Sequence, residues 1–145
     1  MLIFTVGFTG KTAERFFSLL QSAKPTTLLD VRLNNTSQLA GFSKSEDLAF
    51  FLRRILNLPY RHLLELAPTQ AMLDEYRKEK QGWASYEKSF NALLKKRKVE
   101  QSFTPAEMDG ACLLCSEHEP EHCHRRLVAE YLQRHWKDVE IRHLV

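Results

Sequence analysis

The sequence is poor in residues that interrupt regular structure, and it lacks a long hydrophobic run. Glycine and proline occur only five times each among 145 residues, which excludes collagen-like repeats and low-complexity linkers. No apolar stretch approaches the roughly 18 residues of a membrane-spanning helix. The opening segment MLIFTVGFTG lacks the basic region and small-residue cleavage site of a signal peptide. We therefore expect one folded domain over residues 1–145, located in the cytoplasm.

The chain also has little excess charge of either sign. Lysine and arginine together number 21 against 18 aspartate and glutamate residues, which leaves a formal net charge of +3. This excess is too small to require a nucleic-acid partner, but it is compatible with a small anionic substrate. We expect no membrane partner, and the sequence does not indicate an oligomeric state.

Cysteine is scarce but clustered. Cys112, Cys115 and Cys123 lie within twelve positions. An odd and crowded set is a poor framework for disulfides, but it is typical of thiol or metal chemistry in a reducing compartment. Residues 112 and 115 fall on one predicted strand and point to opposite faces, so they cannot ligate one ion together. We predict that Cys112 is an inert core residue and that Cys115 and Cys123 are candidates for the site.

Apolar runs alternate with helical patterns along the whole chain. Strands are predicted at 2–6, 26–31, 60–64, 111–116 and 139–144. Helices are predicted at 12–23, 43–56 and 123–136, with two more between 69 and 98 that are separated near Gly82. The helix predicted at 43–56 opens at Ser43 with a sequence that resembles a capping box. Residues 104–110 are predicted to form a charged loop. The alternation predicts an α/β fold, a single three-layer domain with a mostly parallel sheet of about five strands flanked by helices.

Polar residues follow the predicted strands at their carboxyl ends, where ligands bind in open parallel sheets. We predict five catalytic residues at this edge, namely Cys115, Glu117, Cys123, His124 and Asp30. We predict Gly7, Arg32, His62 and Arg125 as substrate-binding residues there. A thiol, an imidazole, carboxylates and guanidinium groups are the types that act as nucleophile, acid or base, and anion anchor.

The individual roles are open at this stage. Cys123 is predicted in the first turn of a helix, whose positive dipole lowers a thiol pKa, but neighbouring acids act in the opposite direction. His124 precedes Leu127 and Val128 by three and four positions, so it faces the sheet. Asp30 and Arg32 form either a structural ion pair or an acid and an anion anchor. A phosphatase-type loop is excluded because position 121, six after Cys115, is glutamate rather than arginine.

Three functional classes fit this pattern. The first is a small enzyme acting on an anionic or nucleotide-like substrate at the strand ends. The second is a nucleic-acid-binding or base-processing protein, which basic residues interspersed with aromatic ones would favour. The third is a zinc-stabilised interaction module, with ligands drawn from Cys115, His118, His122, Cys123 and His124. No second cysteine pair supports zinc, so we expect no cofactor and keep zinc as an alternative.

Several of these residues also carry a family resemblance. They are Val6-Gly7-Phe8, Asp30-Val31-Arg32 with Ser37 and Phe42, Tyr60-Arg61-His62, and Leu114-Cys115-x-Glu117-x-x-Pro120-x-x-Cys123-His124-Arg125. Together they resemble the family known as domain of unknown function 488 over nearly the whole chain. The resemblance implies an α/β domain whose shared polar residues, Tyr60 among them as a substrate-binding residue, line one active site. The family has no agreed reaction, and links of some relatives to DNA repair or nucleic-acid modification are suggestions.

Overall fold

The computed structural model of the chain describes residues 1–36, 41–78 and 82–145, and Ser37 of the family resemblance lies outside these ranges. Five strands are present: β1 (Leu2–Gly7), β2 (Thr27–Asp30), β3 (Tyr60–His62), β4 (Ala111–Cys115) and β5 (Glu140–Leu144). The helices are α1 (Ala13–Ala23), α2 (Ser45–Phe51), α3 (Gln70–Arg77), α4 (Trp83–Arg97), α5 (Val99–Ser102), α6 (Pro105–Met108) and α7 (His124–His135). All five strands fall where the alternating pattern predicts them.

The strands form one parallel sheet in the order β3-β2-β4-β1-β5. The central strand, β4, is buried along its whole length, as its uninterrupted apolar sequence predicts. The register pairs Gly7 with Cys115 and Asp30 with His62. These pairs place the carboxyl ends of four strands side by side at one edge of the sheet. The predicted α/β fold with a parallel sheet is therefore confirmed.

Two apolar cores lie on opposite faces of the sheet. On one face α4 and α7 pack against strand residues such as Ile3 and Leu113. On the other face α1 and α2 pack against Phe4 and Cys112. Cys112 has no solvent exposure and lies on the face opposite to Cys115, which confirms the prediction from strand geometry.

Local structure differs from prediction at two helix starts. The helix predicted from Ser43 begins with a short 3₁₀ turn at Gly41–Ser43, and α2 then starts at Ser45 with Lys44 as its N-cap, so the capping box is wrong. The segment predicted as a charged loop contains α6. Thr104, the N-cap before Pro105, forms a capping box with Glu107 in the first turn of this helix. Among the described residues, no helix is both long and apolar enough to cross a bilayer.

Candidate active site

The Asp30 and Arg32 side chains form a fully buried ion pair just beyond the end of β2. Arg32 Nε and Nη2 donate to the two carboxylate oxygens of Asp30 at 2.8 and 2.7 Å, and the Arg32 backbone N–H donates to Oδ1 at 3.1 Å. Asp30 is 0% and Arg32 2% exposed. Burial alone would raise the Asp30 carboxyl pKa, but the hydrogen bonds and charge of Arg32 outweigh it and lower that pKa.

Neighbouring polar groups hold this ion pair in place. Tyr60 from β3 donates its hydroxyl to Asp30 Oδ2, and the Asn35 amide donates to the same oxygen at 3.4 Å. His62 at the end of β3 lies 2.6 Å from the Arg32 carbonyl, so its Nε2 carries the proton of that bond. Arg32 also stacks over the Phe8 ring. Arg32 Nη1 is buried and has no hydrogen-bond partner among the described residues.

Cys115 and His124 form a thiol–imidazole pair at the same edge. Cys115 is the last residue of β4, and its Sγ lies 3.4 Å from His124 Nδ1 at the start of α7. His124 Nε2 lies 2.6 Å from the Val31 carbonyl oxygen. A carbonyl oxygen only accepts, so Nε2 carries the proton and Nδ1 is left facing the sulfur. The ring is thus oriented by the backbone at the end of β2.

Cys123 differs from Cys115 in its ionisation, although both sulfurs are buried. Cys123 is the N-cap of α7, directly before the first turn. Burial and the neighbouring Cys115 sulfur raise the Cys123 thiol pKa well above its usual value. Burial also acts to raise the Cys115 pKa, but hydrogen bonds from the Cys123 thiol and the Ser116 N–H, with the charge of Arg125, lower it overall. Of the two thiols, Cys115 therefore has the lower pKa.

Arg125 is turned into the protein rather than toward solvent, with no exposed surface. Its Nη1 and Nη2 donate to the carbonyl oxygens of Glu117 and His118 at 2.5 and 3.1 Å, and Nε contacts Thr5 Oγ1 at 3.4 Å. Within the described part of the chain no carboxylate forms an ion pair with it. The predicted anion anchor thus holds the loop after β4 and places a buried positive charge near Cys115.

Gly7 lies under the same loop. A Cβ added there would overlap the Glu117 carbonyl oxygen and would lie 2.6 Å from the carbonyl carbon and 2.8 Å from Arg125 Nη1. Real Cβ atoms do not approach other atoms so closely, so only glycine fits at this position. Predicted as a substrate-binding residue, Gly7 here allows the loop to cross the end of β1.

A cavity of about 440 Å³ opens beside the buried groups. Five predicted residues line it, namely Arg32, Cys115, Glu117, Cys123 and His124. Glu117 is exposed at this cavity, whereas Arg32 and the two cysteines are buried. Asp30, Tyr60 and His62 do not line the cavity. Asp30 and His62 bond to Arg32, which does line it, and Tyr60 bonds to Asp30.

The opposite wall of the cavity is aromatic. It contains Tyr76 from α3, Trp83 and Tyr86 from α4, and His122 from the loop before α7. His122 stacks on Trp83 with ring centroids 5.0 Å apart, and Trp83 stacks on Tyr86. The sequence analysis did not assign Tyr76 or Tyr86 to the site. Their helical spacing resembles that of core residues, and only the packing of α3 and α4 reveals that they face the cavity.

Comparison with known proteins identifies the family. Residues 12–132 match the family described as Domain of unknown function DUF488. The chain belongs to this family. No curated protein and no solved structure matches it. The match leaves out β1 and β5, yet it contains every predicted site residue except Gly7.

The residues of the segment from Cys115 to Arg125 have two different positions in this fold. Cys115, Cys123 and His124 meet at the cavity, where one ligand atom from each lies within 4.8 Å of the others. Arg125 instead supports the loop between them. Two sulfurs and one imidazole nitrogen in this arrangement could hold a metal ion, with the His124 Nε2–H bond to Val31 orienting the ring.

Proposed function

We propose that the protein is an enzyme in which Cys115 is the nucleophile toward a small anionic substrate. The observation that carries this proposal is the 3.4 Å contact between Cys115 Sγ and His124 Nδ1 at the wall of the cavity. A nucleophile bonded to a base, which is in turn oriented by a third group, is the usual arrangement for covalent catalysis. Val31 supplies that third group through its carbonyl oxygen.

In this proposal His124 and Arg125 make the sulfur reactive. The Cys115 proton moves to His124 Nδ1, because Nε2 is committed to the Val31 carbonyl. The buried charge of Arg125 favours the resulting thiolate, which is the nucleophilic form of cysteine. The sulfur then forms a covalent bond to an electrophilic carbon of the substrate while the bond from that carbon to its leaving group breaks, and the leaving group takes the proton from His124. Glu117, exposed at the cavity, is placed to exchange a proton with the bound molecule.

Arg32 is the proposed anchor for the anionic group of the substrate. Its Nη1 is a buried donor without a partner in the described chain, and Arg32 lines the cavity. An unsatisfied buried donor costs about 1–3 kcal/mol, which an oxyanion would recover. The aromatic wall of Tyr76, Trp83 and Tyr86 suits an apolar or ring-shaped body attached to that anion. Carboxylates and phosphates, including nucleotide-like compounds, have this chemistry.

Alkylation of the reduced protein tests both parts of the proposal. At neutral pH we expect iodoacetamide to label Cys115 at least about tenfold faster than it labels glutathione, because a lowered pKa leaves more thiolate. Iodoacetate carries a carboxylate, which Arg32 attracts. We therefore expect the ratio of the iodoacetate rate to the iodoacetamide rate to be higher for Cys115 than for glutathione. Peptide mapping of the labelled protein locates the adduct.

Matched variants separate the contributions. Cys115→Ser should abolish the fast adduct, and Cys112→Ala, which alters only the opposite core, should retain it. Arg77→Ala removes an exposed arginine that also lines the cavity, and it should keep the preference for iodoacetate. Fast labelling at Cys123 instead of Cys115 would contradict the nucleophile. If the ratio of the iodoacetate rate to the iodoacetamide rate equals that of glutathione, the anchoring role of Arg32 is contradicted, but the assignment of the nucleophile is not.

A metal site is the second candidate function, because the donor set fits zinc. Cys115, Cys123 and His124 would hold the ion through two sulfurs and a nitrogen within 4.8 Å of one another, and all three residues line the cavity. Three protein ligands with one open position are typical of catalytic zinc, which supplies a Lewis acid or a bound hydroxide. The same three residues therefore serve either as a nucleophile with its partners or as ligands.

Elemental analysis distinguishes these two candidates. We expect protein purified without added metal to be folded and free of stoichiometric zinc, and chelator treatment to leave the rate of Cys115 labelling unchanged. About one zinc per chain that disappears in Cys123→Ser, together with thiols that react only after chelation, would establish the metal site instead.

A further inference from the structure

We infer that Cys115 and Cys123 are a redox pair that reduces hydroperoxides: the peroxide oxidises Cys115 to a sulfenic acid, and the Cys123 thiol converts it to an intramolecular disulfide. This inference rests on the proposed nucleophile and extends it to a second substrate class. It uses Cys123, which has no role in the nucleophilic attack described above.

The placement of the two sulfurs carries the inference. Their Sγ atoms lie within 4.8 Å of each other, and both residues line the cavity beside His124. Cys115 ends β4 and Cys123 precedes α7, so the irregular loop of residues 116–122 joins them. A reactive thiolate beside a second thiol is the arrangement found in peroxide-sensitive proteins, where the second cysteine resolves the sulfenic acid.

Access and selectivity follow from the cavity. Cys115 and Cys123 are only 6% and 2% exposed, but both line the cavity, so a small peroxide can reach them. Cys112 has no exposed surface and lies across the sheet from the other two. Of the three cysteines, only one pairing is therefore compatible with the fold, and it joins residues 115 and 123.

The chemistry balances without a further cofactor. The Cys115 thiolate attacks one peroxide oxygen, the O–O bond breaks, and the leaving oxygen takes a proton from His124 to give water or an alcohol. Cys115 loses two electrons in this step and the peroxide gains them. The Cys123 sulfur then attacks the Cys115 sulfur, an S–S bond replaces the S–O bond, and the hydroxyl leaves as water with the Cys123 proton.

The experiment treats the reduced, purified protein with hydrogen peroxide and follows free thiols, intact mass and cross-linked peptides. We expect free thiols to fall from three per chain to one, because Cys112 is spared. The mass should decrease by two hydrogen atoms, and a Cys115–Cys123 peptide should appear that dithiothreitol removes. Unchanged thiols, a disulfide-linked dimer, or sulfinic acid at Cys115 in the wild-type protein would overturn the inference.

Three variants make the result specific. Cys123→Ser should stop at the sulfenic acid, which dimedone traps on Cys115, and Cys123→Ala provides the same test if the serine destabilises the buried N-cap. Cys115→Ser should leave Cys123 unoxidised at the same peroxide concentration. Cys112→Ala should form the disulfide as the wild type does. Dimedone labelling of Cys112 or Cys123 would contradict the assignment.

Failure of this inference is distinguishable from failure of the proposed function. Alkylation of the reduced protein modifies Cys115 and leaves Cys123 as a thiol, whereas the disulfide consumes both. Fast alkylation without disulfide formation would remove the redox pair and leave the nucleophile intact. Loss of both fast alkylation and disulfide formation would contradict the nucleophile and the redox pair together.

Discussion

Replacing Asp30 with asparagine is expected to lower the free energy of unfolding by about 3–5 kcal/mol, the loss typical of a buried ion pair that is deprived of one partner. The variant leaves the Arg32 guanidinium buried without its carboxylate. It also weakens the acceptor for the Tyr60 hydroxyl. Chemical denaturation at neutral pH, monitored by circular dichroism, measures the change.

The control is an ion pair of nearly equal length on the surface. Arg142 Nε and Glu140 Oε1 are 2.8 Å apart but well exposed, so Glu140→Gln should change the stability little. The double variant Asp30→Asn with Arg32→Met removes the unpaired charge and should recover part of the loss. A double variant as unstable as Asp30→Asn would show that the buried charge is not the cause.

The ion pair of Asp30 and Arg32 also predicts how the stability difference between wild type and Asp30→Asn depends on pH. The Asp30 pKa is lowered in the folded protein, so its contribution to stability is complete above the pKa of an unfolded aspartate. The contribution is lost as the pH falls through the lower, folded-state pKa. The stability difference between wild type and Asp30→Asn should therefore be constant near neutral pH and should shrink in acid.

Gly7→Ala is expected to destabilise the protein by about 3 kcal/mol or more, at the upper end for an overpacked site. The added methyl group would overlap the backbone carbonyl of Glu117, which cannot rotate away as a side chain would. Relief requires the loop after β4 to move, and this movement would break the bond from Arg125 Nη1 to the same carbonyl. Thermal and chemical unfolding quantify the loss.

Gly41→Ala is the matched control, because within residues 1–36, 41–78 and 82–145 a Cβ at Gly41 meets no atom within 4 Å. It should leave the stability nearly unchanged. Any Gly7→Ala protein that folds should also label more slowly at Cys115, since the displaced loop carries the Ser116 N–H that stabilises the thiolate. Wild-type stability in Gly7→Ala would contradict the close crossing of the loop over β1.

The sequence predicted the fold and the meeting of polar residues well, because both depend on regular periodicity. Alternating strand and helix patterns place Asp30 and Cys115 at one edge by topology alone. The same reasoning placed Cys112 in the core, since strand residues alternate between faces. These conclusions need no knowledge of side-chain conformation.

The direction of individual side chains could not be predicted in the same way. Arg125 is predicted to bind an anionic substrate, but the loop after β4 supplies two carbonyls that turn its side chain inward. The distinction between Cys115 and Cys123 depends on the contact of Cys115 with His124 Nδ1, and this contact follows only from the three-dimensional arrangement. The helix start near Ser43 was wrong because Lys44, rather than Ser43, has the extended backbone of the N-cap.

The strand order has a consequence for how the chain assembles during synthesis. In the sheet β1 lies between β4 and β5, which are the last two strands to leave the ribosome. β1 therefore has no strand neighbour until β4 has been synthesised, and until then its backbone groups stay available for incorrect pairing. Insertion of β4 between β1 and β2 gives β1 its first strand neighbour and brings Cys115 to the carboxyl edge of the sheet in the same event, and β5 then pairs with the other side of β1. A nascent chain therefore places Cys115 beside Gly7 and Asp30 only when β1 and β2 are joined through β4.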